Sequence, residues 1–248
     1  METESATEIL ALEEVVAGYG GFTVLNGTSL RAARGAITTI IGPNGAGKST
    51  VFKTVFGLLP ARAGRVIFDG REVTNLAPRR LLELGISYVP QGRNIFPELS
   101  VRHNLELGAT AAPDPAGVAA RIQAVMERFP MLRERAGAQA STLSGGQQKM
   151  LEIARALLLQ PKLMLIDEPS IGLSPRLVQE VFAILQDLRA KGMSILMVEQ
   201  NAKRALEISD FGVVVELGRT RMSGEARAIL ADPKVGQLFL GGGLTEAA

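Results

Sequence analysis

The chain contains no cysteine, which removes disulfides, thiolate chemistry and Cys-based zinc sites at once and is compatible with any redox compartment. It also lacks charge of one sign. Lys and Arg number 27 against 25 acidic residues, a net +2 that gives no field strong enough to imply a nucleic-acid partner. Long apolar runs are missing as well. The most apolar stretch, "ALLLQPKLMLI" at 156–166, is broken by Gln160, Pro161 and Lys162, well short of the ~20 residues a spanning helix needs. Any membrane role must therefore come through a partner. The first residues, "METESATEIL", are acidic and polar, unlike the basic then apolar start of a secretory signal, so a cytosolic chain is expected. No internal repeat or low-complexity tract is found.

What the chain does have is enough apolar residue, 46% of 248, to bury a core as one large α/β domain. Short β-branched or apolar runs alternate with helical patterns: "ITTIIG" (37–42), "ISYVP" (86–90), "KLMLIDE" (162–168), "SILMVEQ" (194–200) and "FGVVVEL" (211–217). Continuous apolar strands between helices predict a mostly parallel sheet covered on both faces, the doubly wound class. Two regions break the rhythm. Residues 8–34 and 64–73 read as alternating strands with glycine turns, hence an antiparallel β layer. Residues 98–160 show several helical stretches and no convincing strand, so a helical subdomain, about 92–160, is expected as an insert. Within it, "TAAPDPAG" (110–117) reads as a loop by its prolines.

"GPNGAGKST" follows a strand and opens a helix, the context that the phosphate-loop pattern G-x-x-x-x-G-K-[ST] requires. Gly42, Pro43, Asn44, Gly45, Ala46 and Gly47 form the turn, whose backbone N–H groups can circle a β-phosphate while the helix N-terminus adds its positive end. Lys48 reaches the β and γ oxygens, the Ser49 hydroxyl is placed to ligate Mg²⁺, and Thr50 continues the helix. Average residue usage makes this pattern a chance event in on the order of one in a hundred chains of this length. "KLMLIDE" supplies a second half, an apolar strand with Asp167 at its carboxyl end, where open α/β sheets bind ligands. Asp167 is expected to hold Mg²⁺ through water, and Glu168 to polarise an attacking water.

"TLSGGQQKMLEIARALLL" puts Ser144, Gly145 and Gly146 before a helix with apolar positions at Met150, Leu151, Ile153, Ala154, Leu157 and Leu158. A hydroxyl and free N–H groups crown that helix, which is also what a plain capping motif looks like. With "LSGGQ" standing between a phosphate loop and a "LIDE" strand, the whole chain resembles the ATP-binding cassette ATPases. The resemblance implies a P-loop NTPase (RecA-like) α/β fold that binds ATP and Mg²⁺, with Ser144 to Gln147 of one subunit closing over the γ-phosphate held by another. It further implies that Tyr19 stacks on adenine and that Gln91 touches Mg²⁺ and the attacking water, so that Ser49, Gln91 and Asp167 hold the metal. "GRNIFPELSVRHNLELGA" then becomes the surface that meets a transmembrane partner, with Phe96 and Leu99 as candidate anchors unless they are core residues of the subdomain.

Family members usually carry histidine where this chain has Gln200, and aspartate where it has Ser174. The only histidine, His103, lies in the helical insert and cannot substitute. A glutamine amide can donate to a phosphate oxygen but cannot carry charge. Both departures, with "DEPSIGLSP", "VPQGRNIFPELSV" and "VEQNA", are similar to the shorter kind of ATP-binding subunit in bacterial branched-chain amino-acid importers. That implies a peripheral protein at the cytoplasmic face of the plasma membrane, soluble when isolated, with two permease subunits, a second ATPase chain (its own copy or a different one) and, indirectly, a solute-binding protein as partners. Catalysis would rest on Lys48, Glu168 and Gln200. Three alternatives remain: an importer ATPase for urea or short-chain amides, a soluble cassette ATPase acting on DNA or ribosomes, and a nucleotide-gated module with little hydrolysis.

Overall fold

The computed structural model describes residues 8–111 and 116–235, so residues 112–115 of the expected loop lie outside it. Within the described residues, 8–78 with 186–235 form one compact unit and 79–185 another.

In the first unit, β1 (Glu8–Tyr19) and β2 (Phe22–Ala33) are joined by Gly20 and Gly21 and pair antiparallel out to Tyr19↔Phe22. β3 (Ile37–Ile41), "ITTII", is buried at every residue and leads through 42–47 into α1 (Lys48–Val55). β4 (Ala61–Phe68) pairs antiparallel with β1, and β5 (Arg71–Glu72) with β4. The turn between them, Asp69-Gly70, has φ of 51° and 74°, the double positive-φ turn that matches strand twist. The resulting sheet, β2-β1-β4-β5, is the antiparallel layer expected from the alternating stretches.

The second unit begins within α2 (Pro78–Leu84), at Arg79, and continues into β6 (Ile86–Val89). Four helices follow: α3 (Val101–Ala109), α4 (Val118–Arg128), α5 (Pro130–Glu134) and α6 (Gly145–Leu157). Among the described residues of 98–160 the only strand-like pairing is an isolated bridge between Ser100 and Gln139, in keeping with the helical reading. β7 (Leu163–Asp167) pairs parallel with β6, and α7 (Pro175–Ala190) carries the chain back to the first unit.

There, β8 (Ser194–Val198), α8 (Ala202–Ile208), β9 (Phe211–Glu216), β10 (Arg219–Glu225) and α9 (Ala226–Ala231) complete the fold. β3 lies between β8 and β9, parallel to both, and β10 runs antiparallel beside β9. The fold is thus α/β, with a parallel core and an antiparallel layer. Every apolar run read as a strand is one. Four elements had no counterpart in the sequence reading: α2, α5, α9 and β10. β10 is largely exposed and polar, "RTRMSGE", so it carries no apolar alternation. The three helices are too short for a 3.6-residue period to show, although Pro78 at the start of α2 and Gly85 after it, at φ 105°, are ordinary start and stop signals. No described helix is long and apolar enough to cross a membrane.

Candidate functional site

The strand-to-helix turn of the first unit is built by exclusion of side chains. A Cβ on Gly42 would sit 2.1 Å from the Val215 carbonyl oxygen, and Gly47, at φ 100°, would press Leu25 at 3.0 Å. Gly45, at φ 79°, faces open space, and Pro43, Asn44 and Gly45 are exposed. No side chain caps α1, and its first turn carries no acidic residue, so its positive end is kept for an anion. Lys48 is 6% exposed, and its Nζ donates to the carbonyls of Gly42 (2.8 Å) and Pro43 (3.0 Å), which keeps the ammonium against the loop.

The β9–β10 hairpin supports this loop, which the sequence reading missed. Gly218 N–H donates to the Ala46 carbonyl at 3.0 Å, and its own carbonyl accepts from Thr28 Oγ1 at 2.6 Å. Leu217 and Gly218 both have positive φ, 49° and 70°. A "LG" pair after an apolar run is the signal that was available. Tyr19 ends β1 exposed, and Lys53 Nζ of α1 lies 5.6 Å from its ring centroid, a cation held over an aromatic face.

Parallel pairing of β6 and β7 in the second unit brings the residues after each strand together. Tyr88 hydroxyl donates to Asp167 Oδ2 at 3.3 Å, and Gln91 Nε2 donates to Glu168 Oε2 at 2.9 Å. Asp167 is 1% exposed and Glu168 8%. Glu168 also has φ 47°, a left-handed backbone that costs a non-glycine residue about 1 kcal/mol and is concentrated at working sites. Gln91 and Glu168, both predicted from sequence, therefore meet; Tyr88 was not predicted, though it lies three residues before Gln91.

Ser144 is exposed and caps α6: its Oγ accepts from Gln147 N–H at 3.3 Å while Gln147 Oε1 accepts from Ser144 N–H at 3.0 Å, a reciprocal capping box. Gly145 and Gly146 lie close under Leu173 and Leu177, where a Cβ would come within 3.2 Å and 2.7 Å of a leucine methyl. The expected apolar positions of α6 are buried apart from Met150, which is half-buried, but Gln148, Lys149 and Glu152 are buried too.

Gln200 follows β8 as an exposed residue whose backbone N–H donates to Glu199 Oε2 at 3.1 Å; Glu199 itself is buried. Asn201 then caps α8 by accepting from Arg204 N–H. His103 is exposed on α3, Phe96 is exposed and Leu99 half-buried.

These donor sets fit a magnesium nucleotide. In the first unit the glycine cradle, buried Lys48 and uncapped α1 suit a polyphosphate; in the second, the Gln91 amide and the Asp167 carboxylate are oxygen donors of the hard kind that Mg²⁺ takes.

Comparison with known proteins points the same way. The family model described as "ABC transporter" matches residues 25–171. The high-affinity branched-chain amino acid transport ATP-binding protein BraG of Pseudomonas aeruginosa is 40% identical over 234 residues, 94% of this chain and 100% of that protein. The probable branched-chain amino acid transport ATP-binding protein LivF of Archaeoglobus fulgidus is 39% identical over 226 residues, 91% of this chain and 95% of that one. Among solved structures, the ADP conformation of an ATP-binding cassette of an ABC transporter superposes with a TM-score of 0.85 at 33% identity, covering 94% of this chain and 99% of that chain.

Proposed function

The chain belongs to the ABC transporter family as an ATP-binding, ATP-hydrolysing subunit, and from that premise we propose that it powers the uptake of branched-chain or other hydrophobic amino acids through membrane permease partners. The observation that carries this reading is the match over 94% of the chain, at 40% identity, to a branched-chain amino acid transport ATP-binding protein.

In this reading all 248 residues form one nucleotide-binding domain with the helical subdomain, about 92–160, inserted in it. It works at the cytoplasmic face of the plasma membrane, bound to two permeases and indirectly to a solute-binding protein. Two cassettes, identical or different, close around two ATP molecules. Residues Gly42 to Thr50 hold the phosphates, Tyr19 stacks on adenine, and Ser144 to Gln147 reach the γ-phosphate held by the other cassette. The capping box is compatible with this, since it fixes the end of α6 and leaves Ser144 exposed.

Hydrolysis is an in-line displacement in which the water oxygen bonds to γ-phosphorus as the bond to the β–γ bridging oxygen breaks and ADP leaves. Glu168 accepts or orients the water proton, and its hydrogen bond from Gln91 fixes the direction of its lone pairs. Lys48, Gln200 and the Ser144 segment donate to the γ oxygens as charge spreads over them. Ser49, Gln91 and Asp167 would hold Mg²⁺, which when bound neutralises charge on the β and γ oxygens.

Deletion of the gene should abolish high-affinity uptake of leucine, isoleucine and valine, restored by the wild-type chain and not by Glu168→Gln. Normal uptake of those three with loss of urea or short-chain amide uptake would favour the second importer reading, and normal uptake of all would reject transport of either class. Neither the near-neutral charge nor the helical insert, whose described residues form no long coiled coil, favours a nucleic-acid partner.

A further inference from the structure

Three charged residues one turn apart, Lys149, Glu152 and Arg155, stand on one face of α6 beside its apolar positions. Lys149 and Glu152 are each 5% exposed and paired with one another, and Arg155 follows one turn on, half-buried. A buried ion pair of this kind adds little to stability, since well-packed apolar residues of similar volume are often as good or better. What the three hold explains them better than what they stabilise.

All three reach the segment that follows Gln91. Lys149 Nζ donates to the Gly92 carbonyl at 3.1 Å, Glu152 Oε1 accepts from Asn94 N–H, and Arg155 Nη1 donates to the Asn94 carbonyl. The Arg155 guanidinium also lies 5.1 Å from the Phe96 ring centroid. Burial lowers the pKa of that guanidinium from its ordinary value while the Glu152 carboxylate opposes the shift. Asn94 in turn donates through its amide to the carbonyls of Pro90 (3.1 Å) and Gln91 (3.3 Å), and Gln91 donates to Glu168 at 2.9 Å. A continuous path of hydrogen bonds therefore runs within the second unit from α6 through Asn94 and Gln91 to Glu168. Beside it is a cleft of about 250 Å³ lined by Ser87, Tyr88, Asn94, Glu152 and Arg155 among others. The buried Ser87 hydroxyl and Arg155 Nε have no hydrogen-bond partner there, so the path is open to a further polar group.

We propose that Glu152 is a positioning residue for ATP hydrolysis: by holding Asn94 N–H, with Lys149 balancing its charge, it ties the 92–96 segment to the helix that carries Ser144 and so sets Gln91 against Glu168. This rests on the reading of Gln91 as a group that serves hydrolysis. It makes the exposed Phe96 surface, the end of α6 and the hydrolytic carboxylate parts of one connected path.

The test compares two charge-balanced variants of the full chain. Lys149→Met with Glu152→Gln removes both charges and keeps an oxygen for Asn94 N–H; Lys149→Met with Glu152→Leu removes that oxygen too. The first should keep single-turnover ATP cleavage within about threefold of wild type, and the second should lose about tenfold or more while the Kd for MgATP moves less than about threefold. Combined with Gln91→Ala, the Leu variant should add almost nothing to the loss from Gln91→Ala alone, because both act through the same group. Amide exchange should quicken over 92–96 in the Leu variant and stay slow along α6. Equal rates in the two variants, losses that multiply with Gln91→Ala, or exchange that quickens equally along α6 would each overturn the assignment. If Gln91→Ala by itself leaves cleavage unchanged, it is the role of Gln91 that fails, and the proposal built on it falls with that role.

Discussion

At the scale of single residues, the site depends on two side chains with different kinds of constraint. Glu168 is buried, backbone-strained and oriented by Gln91, a combination that would be wasteful for a residue that only packs. In the proposed role of Glu168, its replacement by glutamine keeps the shape and removes the proton acceptor, so steady-state turnover should fall by about 100-fold or more with ATP still bound. Gln200 is exposed and neutral at every pH. Turnover of the wild-type chain should therefore show no titration from this position between about pH 6 and 7, where an imidazole would change charge. Gln200→His should introduce a bend in that interval. A wild-type profile identical to that of the histidine variant would remove Gln200 from contact with the reacting phosphate.

Elements explain what could and could not be read in advance. β3, β7 and β8 are five-residue runs buried throughout, and the phosphate loop, the "LIDE" end and the "LSGGQ" cap follow from residues adjacent in the chain. They were legible because local pattern and tertiary role coincide. The β9–β10 hairpin was not, because its second strand is polar and exposed and its role comes from a contact across more than 170 residues, Gly218 to Ala46. The charged face of α6 was missed for a similar reason: its partners at Gly92 and Asn94 lie more than 50 residues away. Gly218 tests the hairpin's role. An added Cβ would lie 1.8 Å from the Val24 carbonyl oxygen, a contact with rigid backbone that cannot relax cheaply. Gly218→Ala should cost about 2–4 kcal/mol and lower Tm by roughly 5–15 °C, with weaker nucleotide binding because the loop at Ala46 loses its brace. An unchanged melting curve would show that the hairpin is not a support of the phosphate loop.

At the scale of the whole molecule, the proposed working unit holds two cassettes, two nucleotides and a membrane partner. Binding that favours the folded state raises apparent stability by mass action, so MgATP at about 100 times its Kd should add about 2.7 kcal/mol, a rise of roughly 5–11 °C for a chain of this size. The gain should be smaller for Lys48→Ala, which loses the ammonium held at the loop. The solute stays outside the reach of this chain's own residues, since nothing in a nucleotide site depends on what is carried. The alternation of short apolar runs with helical patterns was enough to set the fold class, whereas the expected partner class came from the family resemblance carried by the "LSGGQ" segment.

Everything proposed for this chain depends on cleavage of ATP with Glu168 at the reacting water. Single-turnover release of γ-phosphate from bound MgATP, by the chain assembled with its permeases and second ATPase, tests it most directly. Wild type should release phosphate rapidly and Glu168→Gln should retain uncleaved ATP; equal release by the two proteins, or none by either, would remove Glu168 from the reaction.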